Sequence, residues 1–487
     1  MQIEIVNLEE EVSSMTSRDG KELYYEDEKL LMEFFVEESF AQVDDSPFLK
    51  SPQYSQLELI ITPECNQKCD YCYITRFGNK LYPKEIRADH DTTLANIKKI
   101  MDYLVYEKHF IFNQYELFAG DLFGTNLFFD TLDVLYPYFE YISRKAPEIF
   151  FDGPGKHAII VPCNMRFVNN DEIVARYFEY QEKFDKIHFE LALSWSHDGK
   201  YAQDVREKVE FTDEYYDKAF KFIKKAGAGI HPMISTQAID HAIENFDWWV
   251  EMYEKYLPER MINGEYMPIH LEVRNDGWTD EKIEKYLELL RHRLNWIVER
   301  YNGDIDEVAR YLFRVGDTPL PHDCDQFDFV TNKPNTETST SCALQNSLMI
   351  RVSDMAIVPC HRTCYTHLIG GWFETNEDGK ICGIKPGNVG QYIDTKSHNV
   401  LMAPECCICW NNYNCLHGCI GSQFEYSGEL YLPIPSVCKM MKAKTSFILK
   451  MFVETGILRS AHNQGILSES HIKHYKELCA RLGYQYE

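Results

Sequence analysis

Three cysteines, Cys65, Cys69 and Cys72, directly follow an apolar segment at 57–62 and are spaced C-x3-C-x2-C. Three thiolates in one loop can hold three irons of a cubane iron–sulfur cluster and leave the fourth iron open. A structural zinc site usually takes a fourth ligand from a paired knuckle, and no such knuckle stands within this loop. The spacing therefore predicts an iron–sulfur site after the first strand, with a zinc knuckle or inert buried thiols as the alternatives.

Short apolar runs alternate with longer amphipathic stretches from residue 57 onward, which is the pattern of repeated βα units around a parallel sheet. Candidate strands lie at 57–62, 115–119, 158–163, 188–194, 229–235 and 269–274. Candidate helices lie at 92–108, 126–145, 171–183, 212–225, 242–256, 280–301 and 470–482. Side-chain oxygens suited to cap first turns are found at Asp91, Thr92, Thr212 and Thr279. The sequence therefore predicts an α/β fold with a partial (βα)6 TIM-like barrel, whose functional residues gather at the carboxyl ends of the strands.

A formal net charge of -26 limits the partners of the chain. Binding to nucleic acid depends on clustered Lys and Arg, so we expect no nucleic-acid partner. The first residues are acidic and form no secretory signal, and no apolar run approaches the roughly 20 residues that span a bilayer. We therefore expect a cytoplasmic protein without a membrane partner. Its 16 cysteines are then candidate metal or redox ligands rather than disulfides, because that compartment keeps thiols reduced, although Cys163, Cys382, Cys407 and Cys479 are expected to be buried thiols.

The cysteine loop resembles the motif of the radical S-adenosylmethionine (radical SAM) superfamily. That motif is C-x3-C-x-aromatic-C, and it is matched by Cys65, Cys69, Tyr71 and Cys72. The resemblance implies that the open iron chelates the amino and carboxylate groups of SAM and that Tyr71 lies beside the adenine. Reductive cleavage then yields methionine and a 5'-deoxyadenosyl radical, chemistry that belongs to the cofactor while the protein orients it.

The resemblance extends to the end of the second strand. Where the family usually has Gly-Gly-Glu-Pro, this chain has Ala119, Gly120, Asp121 and Leu122. Gly120 can let a backbone approach closely, because it has no side chain. The resemblance implies that Asp121 keeps a carboxylate for the methionine ammonium, on a shorter side chain than the family's Glu. A plain turn after a strand is the alternative.

After the fourth strand, the residues at 196–199 read Ser-His-Asp-Gly and resemble the family's Ser-x-Asp-Gly. The resemblance implies that Ser196 bonds the ribose of SAM. Arg206 stands near the place where related enzymes have a cofactor-binding arginine, and guanidinium groups pair well with carboxylates. A surface turn is the alternative for both residues.

A second group of cysteines occupies the C-terminal part of the chain. Its members form one spaced pattern: Cys342, Cys360, Cys406, Cys409, Cys415, Cys419 and Cys438. The pattern resembles the SPASM extension that follows the barrel in many radical SAM enzymes, with Gly387 and Asn388 between its halves. A zinc ribbon is the alternative, because C-x2-C pairs also suit zinc.

The SPASM resemblance implies two auxiliary 4Fe-4S clusters, so that the whole chain would hold three. Carried over by position, the ligands of the first auxiliary cluster are Cys342, Cys360 and Cys419. The ligands of the second are Cys406, Cys409, Cys415 and Cys438. The fourth ligand of the first auxiliary cluster stays open between Cys324, Cys364 and a substrate atom on an open iron.

His361 directly follows Cys360. Sulfatase-maturing relatives carry an aspartate at the corresponding place, where it is proposed to accept the substrate proton. A histidine suits proton transfer near neutral pH, since its unperturbed pKa lies near 6.5. His361 is therefore the candidate catalytic base, with a hydrogen bond to a cluster sulfur or a plain polar surface role as the alternatives.

These patterns divide the chain into five parts. They are an acidic N-terminal extension at 1–56, a radical SAM barrel at 57–302, a linker at 303–341, a small SPASM domain at 342–445 and a helical tail at 446–487. The linker is placed where helical periodicity fades and Pro, Thr and Asn accumulate. The sequence of 1–56 gives no indication of its role.

The two resemblances imply a radical SAM enzyme that oxidatively modifies a peptide or protein side chain by a crosslink, a thioether or a dehydrogenation. The auxiliary clusters would accept an electron or bind the substrate, and a donor such as flavodoxin or ferredoxin would reduce the first cluster. An oxidoreductase of the same superfamily acting on a small metabolite is one alternative. A non-catalytic zinc-binding interaction protein is the alternative from another class.

Overall fold

The chain folds into two compact units. The computed structural model describes residues 13–16, 22–25, 56–69, 72–74, 87–112, 114–145, 157–193, 206–207, 211–230, 233–236, 238–262, 270–271, 277–315, 327–328, 333–334, 347–387, 406, 409–411, 419–428 and 432–486. The first unit is formed by Met1–Trp195, Arg206–His231 and Ala343–Ser397. The second unit is formed by Ser196–Val205, Pro232–Cys342 and His398–Glu487.

A mixed sheet forms the centre of the first unit. The described strands, in chain order, are β1 (Ser13–Thr16), β2 (Glu22–Tyr25), β3 (Gln56–Thr62), β4 (Lys68–Cys69), β5 (Gln114–Ala119), β6 (His157–Cys163), β7 (Ile187–Leu193), β8 (Arg206–Glu207), β9 (Gly229–Ile230), β10 (Met233–Ile234), β11 (His270–Leu271), β12 (Phe327–Asp328), β13 (Lys333–Pro334), β14 (Ser347–Arg351), β15 (Ala356–Val358), β16 (Gly371–Thr375) and β17 (Ile381–Pro386). Nine of them lie in the order β17-β16-β15-β14-β3-β5-β6-β7-β9. Neighbours are parallel from β14 through β9, and antiparallel from β14 through β17.

The strands predicted from the sequence are all present, and the α/β class is confirmed. The first four predicted runs correspond to β3, β5, β6 and β7, which follow one another in the sheet as successive βα units of a barrel do. The fifth run is divided between β9 and β10, and the sixth contains β11, which pairs in parallel with β10. Continuous apolar runs are required because parallel strands are covered on both faces. In β3, every residue after Gln56 is buried.

The described helices are, in chain order, α1 (His90–Met101), α2 (Leu127–Lys145), α3 (Asp171–Lys183), α4 (Asp213–Ala226), α5 (Ala242–Tyr256), α6 (Pro258–Ile262), α7 (Asp280–Arg300), α8 (Ile305–Val315), α9 (Ile420–Ser427), α10 (Pro435–Glu454), α11 (Ile457–Asn463) and α12 (Glu469–Leu482). A π-helix, Asp102–Glu107, continues α1, and short 3-10 helices cover Arg166–Asn169 and Ile239–His241. Every helix predicted from the sequence is present. In the described part of the chain, no helix combines the length and the apolar character needed to cross a bilayer.

Helix starts follow the side-chain oxygens near them. As predicted, Thr212 caps α4 and Thr279 caps α7, each hydroxyl accepting from a first-turn amide. The prediction was wrong for α1, whose cap is Asp89 rather than Asp91 or Thr92. Asp89 Oδ1 accepts from the backbone N–H of Thr92 at 2.7 Å, so the helix already begins at His90. An aspartate two residues upstream satisfies the first-turn amides equally well.

Helix α8 lies within 303–341, where the sequence shows fading periodicity. Its buried residues Val308, Ala309 and Leu312 share one face, as expected of an amphipathic helix. The same helix contacts α11, because the Asp306 carboxylate accepts from the hydroxyl of Ser460. The first part of the predicted linker is therefore a helix that packs within the second unit.

The strands β14 to β17 extend the sheet of the first unit. β14 is fully buried and runs parallel to β3, in a register from Ser347↔Gln56 to Arg351↔Ile60. The Asn96 side chain on α1 donates to the carbonyl of Val352 at 3.0 Å. This part of the predicted SPASM region therefore shares one hydrogen-bonded sheet with the first strands of the predicted barrel.

Candidate functional site

The three clustered cysteines lie in the loop that leaves the carboxyl end of β3. Thr62 Oγ1 accepts from the backbone N–H of Glu64 at 3.1 Å and turns the chain out of the strand. The loop closes further along, where the Cys72 amide donates to the Cys69 carbonyl at 3.0 Å. Tyr71 lies outside the described residues. The structure thus places all three thiols in one loop at the edge where functional residues of a parallel sheet gather.

Two N–H groups point at the sulfur of Cys65. The Gln67 amide is 3.4 Å from this sulfur, and Nδ2 of Asn164 is 3.8 Å from it. Desolvation of the sulfur raises the pKa of Cys65 to about 12, although the residue as a whole keeps exposed surface. A thiol with such a pKa is protonated at neutral pH until a cation binds, since metal ligation deprotonates a coordinating thiol.

Gly120 brings the end of β5 against the cysteine loop. Its amide donates to the Thr62 carbonyl at 2.8 Å, and the Asp121 amide donates to the Glu64 carbonyl at 2.9 Å. A Cβ at position 120 would lie 2.3 Å from the Glu64 oxygen and 2.7 Å from the Pro63 oxygen. Gly120 therefore packs directly against the backbone of the cysteine loop.

Asp121 is buried beside the loop, with an exposed fraction of 1%. Its Oδ2 accepts from the Gly124 amide at 3.1 Å, while Oδ1 is buried without a hydrogen-bond partner among the described residues. Burial raises the pKa of this carboxyl to about 6 against the effect of the Gly124 hydrogen bond. A buried carboxylate oxygen without a donor is costly, so this atom is suited to a donor from a ligand.

Arg206 lies next to the cysteine loop through its backbone. The short strands β4 and β8 are antiparallel, with Cys69 opposite Arg206 and Lys68 opposite Glu207. The structure therefore brings together two sequence-predicted site residues that are far apart in the chain. Ser196, the predicted ribose ligand, lies outside the described residues.

Asn164 and Arg166 also contact the loop, although neither was predicted from the sequence. Asn164 Nδ2 donates to Oδ1 of Asn66 at 2.7 Å, and Arg166 Nη1 donates to the Asn66 carbonyl at 3.2 Å. Both residues directly follow β6 on either side of Met165. Their position could have indicated this contact, because polar residues directly after a buried parallel strand lie at the edge of the sheet where functional residues gather.

His361 lies near the same loop. Its ring is stacked on Phe118 of β5, with 4.6 Å between centroids, and is 6.3 Å from the ring of Tyr73, which follows Cys72. Nδ1 of His361 is 3.1 Å from Oε1 of Glu58. Burial lowers the pKa of His361, but the Glu58 and Glu116 carboxylates outweigh burial and leave it above its usual value.

Two glutamates, Glu58 buried and Glu116 half-buried, line the sheet beside His361. Glu58 of β3 and Glu116 of β5 are direct partners in the register of the two strands. Gln56 donates its amide to Oε2 of Glu116 at 2.7 Å. Burial, reinforced by the Glu58 charge, raises the pKa of Glu116 to about 7. The signal in the sequence was a single acidic residue in the middle of each of two apolar strands.

Among the cysteines of the first auxiliary set, Cys360 is buried in the first unit. Its sulfur accepts from the Arg362 amide at 3.3 Å. Cys364 is buried in the same unit, and Arg351 donates to its backbone carbonyl. Cys419 belongs to the second unit, where it immediately precedes α9. The other predicted ligand, Cys342, and the candidate Cys324 lie outside the described residues.

Three cysteines of the second auxiliary set are described, all in the second unit and all half-buried. The Cys409 amide donates to the Cys406 carbonyl at 3.1 Å, which forms the turn typical of a C-x2-C pair. Cys438 lies in the first turn of α10, where its amide donates to the Ile434 carbonyl at 3.0 Å. Cys415 lies outside the described residues.

The chemistry around the cysteine loop fits a cluster with SAM, since thiols, N–H donors directed at a sulfur and an unpaired carboxylate oxygen occur together. Within the described ranges, no three His, Cys, Asp or Glu side chains are gathered closely enough to hold a single metal ion. The residues assigned to this site are those that hydrogen-bond to the cysteine loop or pair with it as a strand.

A scan of the sequence against protein families finds no match, and a search of curated proteins finds none either. Among solved structures, the chain is similar to native anSMEcpe with bound AdoMet at 13% identity and a TM-score of 0.48, over 85% of this chain and 100% of that chain. For anSMEcpe with AdoMet and the Cp18Cys peptide, the identity is 14% and the TM-score 0.45, over 84% and 99% of the two chains. For Streptococcus suis SuiB bound to precursor peptide SuiA, the identity is 11% and the TM-score 0.38, over 81% and 76%.

Proposed function

We propose that this chain is a radical SAM enzyme whose first cluster is held by Cys65, Cys69 and Cys72. The observation that carries the proposal is the arrangement around their loop. The cysteine motif follows the first strand of a parallel βα sheet, Gly120 packs against it, and Arg206 pairs with it. When bound there, the cluster and SAM supply a 5'-deoxyadenosyl radical for hydrogen abstraction.

Four residues would hold SAM in this proposal. Asp121 would accept from the methionine ammonium, a role supported by its buried and unpaired Oδ1. Arg206 would pair with the carboxylate, a role supported by its register opposite Cys69. Tyr71 would lie beside the adenine and Ser196 would bond the ribose. These two roles rest on the motif resemblance.

His361 would accept the proton that the substrate loses. The support for this role is its position beside Tyr73 and Phe118, close to the residue that ends the cysteine motif. Glu58 faces Nδ1, so Nε2 is the nitrogen left to meet a substrate proton. A carboxylate on one ring nitrogen fixes the orientation of the imidazole, as in other catalytic and metal-binding histidines.

The C-terminal cysteines would hold two auxiliary 4Fe-4S clusters and define the SPASM domain at 342–445. The first set is Cys342, Cys360 and Cys419, and the second is Cys406, Cys409, Cys415 and Cys438. The proposed substrate is a peptide or protein side chain that is oxidised by two electrons, and the electron donor is a flavodoxin or ferredoxin. This choice of substrate rests on the resemblance of the cysteine pattern to SPASM enzymes.

The test is the metal content of anaerobically reconstituted protein, measured beside the variant Cys65→Ala/Cys69→Ala/Cys72→Ala. About twelve irons per chain should fall to about eight in the variant, because one of three cubane clusters is lost. The same variant should lose all formation of 5'-deoxyadenosine from SAM under dithionite, while the wild type forms it.

The matched control is Cys479→Ala, which removes a buried thiol of α12 that belongs to neither cysteine set. It should keep the iron content and SAM cleavage of the wild type. Wild-type protein that contains zinc and leaves SAM intact would refute the proposal and favour a zinc-binding interaction protein.

A further inference from the structure

Asn164 is held in a single orientation at the end of β6. Its exposed fraction is 7%, and its Oδ1 accepts from the backbone N–H of Arg166 at 3.1 Å. A backbone N–H can only donate, so the oxygen of the amide must face it and the NH₂ group must face the other way. That NH₂ group meets Oδ1 of Asn66 at 2.7 Å and the sulfur of Cys65 at 3.8 Å.

Met165 makes this arrangement possible by an unusual backbone conformation. Its φ is 64°, in the left-handed region that residues other than glycine rarely adopt, and its side chain is fully buried. Such a conformation is costly for a residue with a side chain and persists only where the surroundings enforce it. The turn at Met165 places the residues on both sides of it, Asn164 and Arg166, against the cysteine loop.

Arg166 supplies the positive charge of this contact. Its Nη1 donates to the Asn66 carbonyl at 3.2 Å, so the guanidinium stands beside the residue that follows Cys65. Arg166 thus binds the backbone of Asn66, and the amide of Asn164 binds its side chain. The contact joins residues 98 to 100 positions apart in the chain.

Hydrogen bonds to ligand sulfurs and nearby positive charge stabilise the more negative, reduced form of an iron–sulfur cluster. On the basis of the function proposed above, we propose that Asn164 and Arg166 are positioning residues for the first cluster. They hold the turn at Cys65 and Asn66 in place, and they raise the reduction potential of a 4Fe-4S cluster bound at Cys65. In a chain of net charge -26, local positive charge of this kind opposes an otherwise unfavourable field.

The test is an anaerobic reductive titration of the fully loaded, full-length protein followed by electron paramagnetic resonance. The signal of the first cluster is the one absent from Cys65→Ala/Cys69→Ala/Cys72→Ala. For Asn164→Ala, the ratio of reduced to oxidised first cluster at a fixed potential should fall roughly two- to tenfold, the range for one net hydrogen bond. Asn164→Asp keeps the size of the side chain and the Oδ1 acceptor, but it replaces the NH₂ donor by a negatively charged oxygen. The ratio of reduced to oxidised first cluster should therefore fall further than in Asn164→Ala.

Two variants at Arg166 distinguish the effect of its positive charge from the effect of its packing. Arg166→Met should lower the reduced fraction, and Arg166→Lys should restore most of it because the charge is kept. The matched control is Asn170→Ala, since Asn170 caps α3 by accepting from the amides of Glu172 and Ile173. This control should lower thermal stability and leave the potential unchanged.

Wild-type potentials in Asn164→Asp and Arg166→Met, at the iron content of the wild type, would overturn the inference and leave the proposed function intact. Loss of the first-cluster signal in Asn164→Asp, with the auxiliary signals and the fold retained, would support the positioning role. Wild-type protein without any cluster would overturn both the inference and the proposed function.

Discussion

At the scale of single residues, Glu58 and Glu116 are the most informative pair in the described chain. They face each other from neighbouring strands, and Glu58 has an exposed fraction of 1%. Two like charges on neighbouring strands of a poorly hydrated sheet repel each other, so one carboxyl tends to keep a proton. His361 meets Glu58, and Gln56 meets Glu116. Near neutral pH, a proton is therefore held between the adjacent strands β3 and β5.

We expect Glu116→Gln to stabilise the protein at pH 8. Burial raises the pKa of Glu116 from 4.5 to about 7 in the folded protein. The folded state therefore prefers the neutral form, and the contribution of Glu116 to stability is complete below pH 4.5 and is lost as the pH rises through 7. Glutamine is neutral at every pH, so the variant should gain up to about 3 kcal/mol in free energy of unfolding at pH 8.

The measurement is urea unfolding of both proteins at pH 5, 6.5 and 8. Glu299→Gln, on the exposed part of α7, is the control and should change stability little at any of these pH values. A gain for Glu116→Gln that is the same at pH 5 and pH 8 would contradict the assignment of the titrating proton to Glu116.

At the scale of elements, the strands could be predicted from the sequence, whereas the contacts between loops could not. The parallel strands could be predicted because each is an apolar run buried on both faces, and helix starts such as Thr212 could be predicted because capping is local. The contacts of Asn164 with Asn66 and of His361 with Glu58 join residues 98 and 303 positions apart. No local pattern carries that information, so Asn164 and Glu58 could not be predicted from the sequence, whereas the cysteine motif could.

We expect Gly120→Ala to destabilise the junction between β5 and the cysteine loop. The new Cβ would lie 2.3 Å from the Glu64 carbonyl oxygen, so the loop backbone must move. Overpacking of this kind costs about 1–3 kcal/mol in free energy of unfolding. Because the loop carries Cys65, iron loading at the first cluster should fall as well.

Gly229→Ala is the matched control for that variant, since Gly229 also lies in a strand of the sheet and a Cβ there meets no atom within 4 Å. Thermal unfolding and iron analysis of the two variants distinguish them. Equal behaviour of the two alanine variants would show that the approach of the loop to Gly120 is not required.

At the scale of the whole molecule, the division of the sequence into barrel, linker and SPASM domain differs from the division of the structure into units. Strand β14, which begins at residue 347, lies directly beside β3, which begins at residue 56. Helix α8 lies in the stretch that was predicted to be a linker. Apolar patterns give the class of an element but not the strand with which it pairs, so this continuity could not be predicted from the sequence.

The shared sheet predicts coupled stability across the chain. Ile350 of β14 and Leu59 of β3 are buried and opposite each other in the register. Ile350→Ala and Leu59→Ala should each cost about 2–5 kcal/mol in free energy of unfolding. Because the two side chains belong to adjacent positions of one sheet, the double variant should lose less than the sum of the two.

Urea unfolding of the two single variants and the double variant measures this coupling. Ile448→Ala, in the second unit on α10, is the control partner and should add to Leu59→Ala without coupling. A separate unfolding transition for β14, with the transition of β3 unchanged, would contradict a shared sheet.

The continuity of β3 with β14 and β15 has a consequence for the movement of charge. The loop that carries Cys65 leaves β3, and Cys360 follows β15 by two residues, so both thiols are attached to strands of one hydrogen-bonded sheet. The backbone N–H of Val352 donates to the Ile60 carbonyl at 2.9 Å and adds to that connection. If both thiols carry redox centres as proposed, the sheet would fix the separation of the two thiols between which an electron tunnels.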